Sequence, residues 1–467
     1  MSRCLVALFL LLAFLLDACG SNFVALPGTS PNNGGNTASP PPTASSSVPA
    51  NTVFPKGFLW GVATAGHQSE GFDNNSNWTR WELAGRTLQI AGRAADFYHR
   101  YGADFDLAKD IGLNAFRLSV EWARIEPLPG FIDPEALEHY RRVIAAARAR
   151  NLEPLVTLHH FTYPAWLDTY KQPTSSSPGW EDPYTALAFA RYARVVAQAL
   201  RGNVKYYLTI NEPNTQALVG YLAGVFPPGK HHPGVMATVM KNFAKGHVLA
   251  YDAIHEVDPN AQVSTNVFHF IHAVDPTKKF PGDLAEEYLD TLFSWQDKYD
   301  APLGTLPTRG VRKLDYIAFD YYFAYRWNNL LRVAMQWEWP VVPSGLYISL
   351  MYYQNRYHLP IMITENGLAT EDGKPRRDGW TREAFLANHI WQVRRAIQEG
   401  AKVTGYLHWS LTDNYEWGSF KPRFGLYQID YTKPDLPRLA TPALAIYRQI
   451  VQANDVPKSL MARYIGR

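Results

Sequence analysis

The sequence predicts a single (β/α)8 TIM barrel, and three observations predict it. From residue 53 onward, short apolar runs alternate with amphipathic segments. Eight such runs occur, and most are β-branched or aromatic and apolar on both faces, as buried parallel strands are. Residues 53–467 divide among them at about 50 residues per unit, which fits the size range of such barrels. A doubly wound sheet is the rival architecture. It would carry a glycine-rich phosphate loop after an early strand, and the chain shows no clear GxGxxG or GxxxxGKS/T pattern.

The predicted strands are, in order, Phe58–Ala63, Ala115–Val120, Pro154–Leu158, Val204–Ile210, Gln262–Val267, Tyr316–Tyr321, Pro360–Thr364 and Val403–Leu407. The segments between them read as helices. Asp133-Pro134 opens one of these with an N-cap residue and a proline in the first turn. Leu137, Tyr140, Ile144 and Ala147 then recur at helical spacing.

Composition sets the outer limits. Hydrophobic residues are 46% of the chain and charged residues 19%, enough to bury a large core. Lys+Arg 45 against Asp+Glu 42 leaves a net charge of +3, too balanced for a nucleic-acid surface. The aromatic share is 14%, which suits a large core and also suits flat apolar ligand faces.

The N-terminus reads separately. Arg3 precedes an apolar run from Cys4 to Leu16, shorter than the roughly 20 residues that cross a bilayer. Residues 1–18 therefore read as a signal peptide. Leu16-Asp17-Ala18-Cys19 resembles a bacterial lipobox, in which the signal is cut before a cysteine that is then lipidated. Asp17 stands where a small or apolar residue is usual. Residues 19–52, rich in Ser, Thr, Pro, Gly and Asn, read as a disordered linker, and 53–467 as the catalytic barrel. The expectation is an exported protein of the bacterial cell surface or periplasm, held to the membrane by a lipid on Cys19. The 2 cysteines are Cys4 and Cys19, so the barrel has no disulfide, thiolate metal site or cysteine nucleophile.

Barrel enzymes place their chemistry where the strands end at the C-terminal face. Nearly every predicted strand delivers a polar or aromatic side chain there. The first leads to Gln68 and Glu70, and the second contains Arg117. The third ends in His159-His160, the fourth in Asn211-Glu212 and the sixth in Asp320-Tyr321-Tyr322. The seventh ends in Glu365, and the eighth gives Trp409, with Glu416-Trp417 beyond it. Glu212 and Glu365 lie three units apart and so face each other across the mouth. Facing carboxylates among tryptophans suit glycosidic bond cleavage, in which one acid attacks or activates water and the other protonates the leaving oxygen. Paired acids at a barrel mouth also bind divalent metals, and spacing alone leaves both readings open.

At these residues the chain resembles glycoside hydrolase family 1, the β-glucosidase family, from about residue 54 to about 450. Phe58-Leu59-Trp60-Gly61 through Gln68-Ser69-Glu70-Gly71 is similar to its N-terminal signature, and Phe116-Arg117-Leu118-Ser119 to its second-strand motif. Thr209-Ile210-Asn211-Glu212-Pro213 resembles its acid/base motif and Ile363-Thr364-Glu365-Asn366-Gly367 its nucleophile motif. Trp409-Ser410-Leu411 and Asp413-Asn414-Tyr415-Glu416-Trp417 fit as well. Each tripeptide is weak alone; their order along one chain is specific.

The resemblance implies retention of configuration by double displacement. Glu365 would be the nucleophile and Glu212 the acid/base, with Arg117 and Tyr322 contacting Glu365. Gln68, His160, Asn211, Trp409 and Glu416 would hold sugar hydroxyls, and Trp417 would line the pocket. No metal or organic cofactor is implied. The expected substrate is a neutral small-molecule or oligosaccharide β-glycoside, with β-D-glucosyl preferred and β-galactosyl or β-fucosyl accepted. A transglycosidase on the same scaffold and a non-catalytic carbohydrate-binding protein are the alternatives; the second is disfavoured because both glutamates are present. His159 is expected to pack or to support neighbours, and Glu70 to support the first strand. Trp166, Trp180 and Trp337 could be outer platforms or lid packing. Asp320 departs from the family's usual Asn, so it would add charge near the site if it points inward, unless it is protonated or turned to an arginine.

Overall fold

The computed structural model describes residues 54–169, 177–272, 282–295, 311–325 and 335–465. The signal-peptide reading, Cys19 and the linker lie outside the described residues.

Eight parallel strands close into a barrel. They are β1 (Leu59–Ala63), β2 (Ala115–Ser119), β3 (Glu153–His159), β4 (Tyr206–Asn211), β5 (Gln262–Phe268), β6 (Ile317–Asp320), β7 (Ile361–Glu365) and β8 (Val403–Trp409). Each pairs with its sequence neighbours, and β8 closes the ring on β1 from Leu59↔Gly405 to Ala63↔Trp409. Every predicted run became a strand. Predicted and observed ends differ by a residue or two; at the C-terminal face most ladders run past the apolar run, because the backbone pairs whatever the side chain, as at His159, Asn211 and Glu365.

Helices occupy the outside. Among them are α1 (Phe97–Ile111), α2 (Pro134–Arg148), α3 (Tyr184–Leu200), α4 (Pro233–Val257), α5 (Gly282–Phe293), α6 (Pro343–Tyr357), α7 (Arg382–Gln398) and α8 (Pro442–Ala453). In α2 the Asp133 carboxylate accepts from the backbone N–H groups of Glu135 (2.8 Å) and Ala136 (3.2 Å), which satisfies donors the helix start leaves unpaired. Its buried face is Ala136, Tyr140, Val143, Ile144 and Ala147, while Leu137 is half-buried at the edge.

Two large apolar clusters result, beside a small one of Ala95, Ile429 and Leu436. The largest lies between strands and helices. The second fills the barrel and includes Ala115, Leu155, Leu208, Ala318, Met362 and Leu407. Side chains two apart on a strand share a face. The next inward positions are therefore Arg117 after Ala115, Thr157 after Leu155, Asp320 after Ala318 and Trp409 after Leu407. An apolar plug below and a polar layer above follow directly from strand periodicity. All four of these residues are buried.

Candidate active site

Local backbone features aim the two glutamates. Glu212 follows β4 with φ 41°, a left-handed conformation that is unfavourable for a side chain with a Cβ. The position is held from both sides: its N–H donates to Asn266 O at 2.8 Å, and its C=O accepts from Gln216 N at 2.9 Å. Pro213 then starts a short helix, Pro213–Ala217. Glu365 ends β7 opposite Asp320 of β6, just past a shift in the β6–β7 register. Gly367 follows closely because a Cβ there would lie 2.0 Å from Trp409 O.

Glu365 is held on both oxygens. Arg117 Nη1 donates to Oε1 at 2.6 Å, and Tyr322 OH donates to Oε2 at 2.6 Å. Arg117 is itself fixed, donating from Nη2 to Asn211 Oδ1 at 2.5 Å and from Nε to Thr157 Oγ1 at 3.0 Å. Asn266 Nδ2 donates to Asn211 Oδ1 at 2.7 Å and also to Asp320 Oδ2. One oxygen each of Glu212, Asp320 and Glu365 lies within 4.8 Å of the other two. That leaves no room for a water between attacking and protonating groups, so the spacing belongs to retaining chemistry.

A second cluster adjoins the first. Glu416 Oε1 accepts from Trp409 Nε1 at 2.9 Å, and Oε2 accepts from Gln68 Nε2 and Gln336 Nε2, each at 3.3 Å. The His160 ring lies nearly parallel to both Trp409 and Trp417, with centroids 6.0 and 5.8 Å away and 12° between planes in each case. Gln68 Oε1 and His160 Nδ1 are buried with no hydrogen-bond partner among the described residues. Buried polar atoms are costly unless paired, so these two are poised for ligand hydroxyls.

The carboxyls differ electrically. Burial pushes Glu212 well above the usual carboxylate range, and the nearby Asp320 and Glu365 charges push it the same way. Burial also raises Glu365, but Arg117 and the Tyr322 hydroxyl pull it back. Glu365 is therefore the first of the pair to carry charge and Glu212 the one that keeps its proton. Glu416 is pushed up to about 8 by burial, with Glu365 adding to the rise against the Trp409 hydrogen bond. Burial, helped by Arg117 and His159, pushes His160 well below its usual value, so it is neutral.

The structure brings together all ten predicted site residues: Glu212, Glu365, Arg117, Tyr322, Gln68, His160, Asn211, Trp409, Glu416 and Trp417. Glu70 instead pairs with Arg124 Nε at 3.0 Å and accepts from Tyr140 OH. His159 is held by Gln216 and the Thr162 backbone. Trp166 and Trp180 are core residues; Trp337 is half-buried against the cluster that fills the barrel. Asp320 does point inward and stays 4.0 Å from Arg117. A cation would have to lie among Glu212, Asp320 and Glu365, and Arg117 Nη1 and Tyr322 OH already bond the two oxygens of Glu365.

Sequence reasoning missed three groups. Asn266 cross-links Asn211 and Asp320, and nothing set it apart from the other polar residues of β5, Gln262, Ser264 and Thr265. Gln336, on the turn Gln336–Glu338, and Trp339, packed 5.3 Å from Tyr322, sit on a long excursion after β6 that no motif marks.

A barrel whose mouth holds two close, unequally charged carboxyls, parallel aromatic faces and spare hydrogen-bonding atoms has the site of a retaining glycoside hydrolase. Residues 50–315 and 311–456 match Glycosyl hydrolase family 1, and the chain belongs to that family. It is 30% identical to a β-galactosidase from Sulfolobus acidocaldarius, over 87% of this chain and 96% of that one. It is 29% identical to β-glucosidase A from Thermotoga maritima, over 81% of this chain and 94% of that one. Among solved structures, a β-glycosidase from Pyrococcus horikoshii superposes with a TM-score of 0.74 at 30% identity, covering 89% of this chain and 98% of that one.

Proposed function

We propose that the protein is a retaining β-glycosidase that removes terminal β-D-glucosyl residues from neutral glycosides and also accepts β-galactosyl or β-fucosyl groups. The carrying observation is the unequal pair: Glu365 bonded to Arg117 and Tyr322, and Glu212 within 4.8 Å of it and flanked by acids. Family membership and the names of its relatives support the same reaction.

In the first displacement Glu365 attacks the anomeric carbon and the glycosidic bond breaks, while Glu212 gives its proton to the leaving oxygen. A glycosyl-enzyme results. In the second, Glu212 takes a proton from water, the water oxygen attacks the anomeric carbon, and Glu365 leaves. Gln68, His160, Asn211, Trp409 and Glu416 hold sugar hydroxyls, and Trp417 supplies an apolar face. The scheme uses no metal or organic cofactor.

The test is nitrophenol release from a panel of aryl β-glycosides, with Glu365→Gly alongside. Preferred turnover of the β-glucoside, lost in the variant and rescued by azide as the α-glycosyl azide, is the expected result. Turnover unaffected by the substitution overturns the assignment of Glu365.

The signal-type N-terminus and the lipobox-like Cys19 support export and lipid anchoring at the cell surface or periplasm, with residues 19–52 as tether. Cys19→Ala should move the protein from the membrane to the soluble fraction. An unchanged distribution refutes the anchor.

A further inference from the structure

Three carboxyls meet at the barrel mouth, one more than double displacement uses. Asp320 is fully buried and stands opposite Glu365 across β6 and β7. The charged and titratable groups around it come from several elements. They are Glu365 from β7, Arg117 from β2, Glu212 at the end of β4, Tyr322 just past β6 and Tyr353 on α6. Arg117 favours Glu365, at 2.6 Å against 4.0 Å for Asp320. Neutral donors complete the Asp320 environment: Thr364 Oγ1 donates to Oδ1 at 2.6 Å, and Asn266 Nδ2 donates to Oδ2.

One guanidinium cannot balance three carboxylates this close in a site with little water. The three therefore ionise in sequence, as one coupled set. Glu365 goes first, because Arg117 and Tyr322 both stabilise its charge. Asp320 goes next, because Thr364, Asn266 and the more distant Arg117 favour its anion. Glu212 faces both of the others and goes last.

We propose that Asp320 is a positioning residue for the proton on Glu212: in the free enzyme, with Glu365 charged, it is a neutral acid at neutral pH, ionises before Glu212, and its charge then keeps Glu212 protonated to higher pH. This rests on the assignment of Glu212 as acid. The electrostatics agree, since burial and the Glu365 charge push Asp320 up to about 8, while burial and the charges of both neighbours push Glu212 well above its usual range. Such an enzyme keeps its proton donor loaded further into alkaline pH than a two-carboxyl site does.

The test uses the full-length protein and Asp320→Asn, which keeps the side-chain shape and removes the charge. The pH profile of kcat/KM on an aryl β-glucoside should lose about one pH unit or more from its alkaline limb, while the acid limb, to which a neutral Asp320 adds no charge, stays in place. An alkaline limb that does not move, or moves upward, overturns the proposal. A merely structural role would lower rates at every pH and leave the limbs where they are. Should the amide variant not fold, Asp320→Ser carries the same expectation. Infrared difference spectra of wild type and variant at pH 6 should show one protonated carboxyl that disappears in the wild type near pH 8. Absence of that band at pH 6 also overturns the proposal. The infrared arm needs no turnover, so it reads Asp320 even if the chain hydrolyses no glycoside.

Discussion

Arg117 Nη1 lies 2.6 Å from Glu365 Oε1, and the same guanidinium reaches Asn211 and Thr157, tying β2 to β3, β4 and β7 in one buried node. The node does two jobs: it fixes where Glu365 points, and it stabilises the Glu365 anion against burial. Arg117→Met removes the cation and keeps most of the volume. Glu365 then ionises less readily, so the acid limb of kcat/KM should move to higher pH. Leaving a buried carboxyl unpaired should also cost about 3–5 kcal/mol of stability. A pH–rate profile with a thermal melt checks both. An unmoved acid limb contradicts the electrostatic role.

Glu212→Gln keeps the size of the acid and removes the transferable proton. Substrates whose leaving oxygen needs that proton should lose about 10²–10⁴ in kcat/KM, the usual worth of general acid catalysis. Aryl glycosides with acidic phenols should lose much less in the first step and become limited by the second. Azide needs no general base, so it should restore turnover and yield the β-glycosyl azide. Equal losses across leaving groups of different acidity would show that Glu212 is not the acid.

The barrel was legible because buried parallel strands must be apolar on both faces, and that property is local. The placement of the side chains at the strand ends was legible from the same local periodicity: Arg117, Glu212, Glu365 and Trp409 each sit where a strand stops or one step above the apolar plug. What escaped was relational. Asn266 reads as one of four polar residues in β5, and its partners Asn211 and Asp320 come from β4 and β6. Gln336 reaches Glu416 from a turn 80 positions away, and no local pattern encodes that approach. The charge state of Asp320 stayed open between alternatives, since it depends on how close two other carboxyls come.

Glu416 yields a prediction about binding. Burial, with the Glu365 charge, pushes it up to about 8, so the carboxyl is neutral at pH 7 before sugar binds. Sugar hydroxyls that donate to it favour its anion. Binding a neutral competitive inhibitor should therefore release up to one proton near pH 7, and affinity should rise with pH until about 8. Titration calorimetry in buffers of different ionisation enthalpy measures the release directly. Glu416→Gln should abolish that share of it. The same proton release from the variant would place the titrating group elsewhere.

His67 sets a pH dependence on the fold itself. Its imidazole lies between Asp73 Oδ2 at 3.3 Å and Glu82 Oε1 at 2.9 Å, and stacks on Trp417 with 7° between ring planes. Burial opposes the imidazolium, but the two carboxylates more than offset it and raise His67 from 6.5 to about 9. A base whose folded value is raised contributes stability that is fully present below its unfolded value and is lost as pH climbs through the folded one. The window is therefore pH 6.5 to about 9, and the contribution is about 3 kcal/mol at its low end. His67→Gln should be less stable than wild type by roughly that amount at pH 6, and the gap should narrow steadily towards pH 9. Urea unfolding of both proteins at several pH values measures it. A gap that stays constant across the window would mean that His67 contributes packing beside Trp417 and no charge.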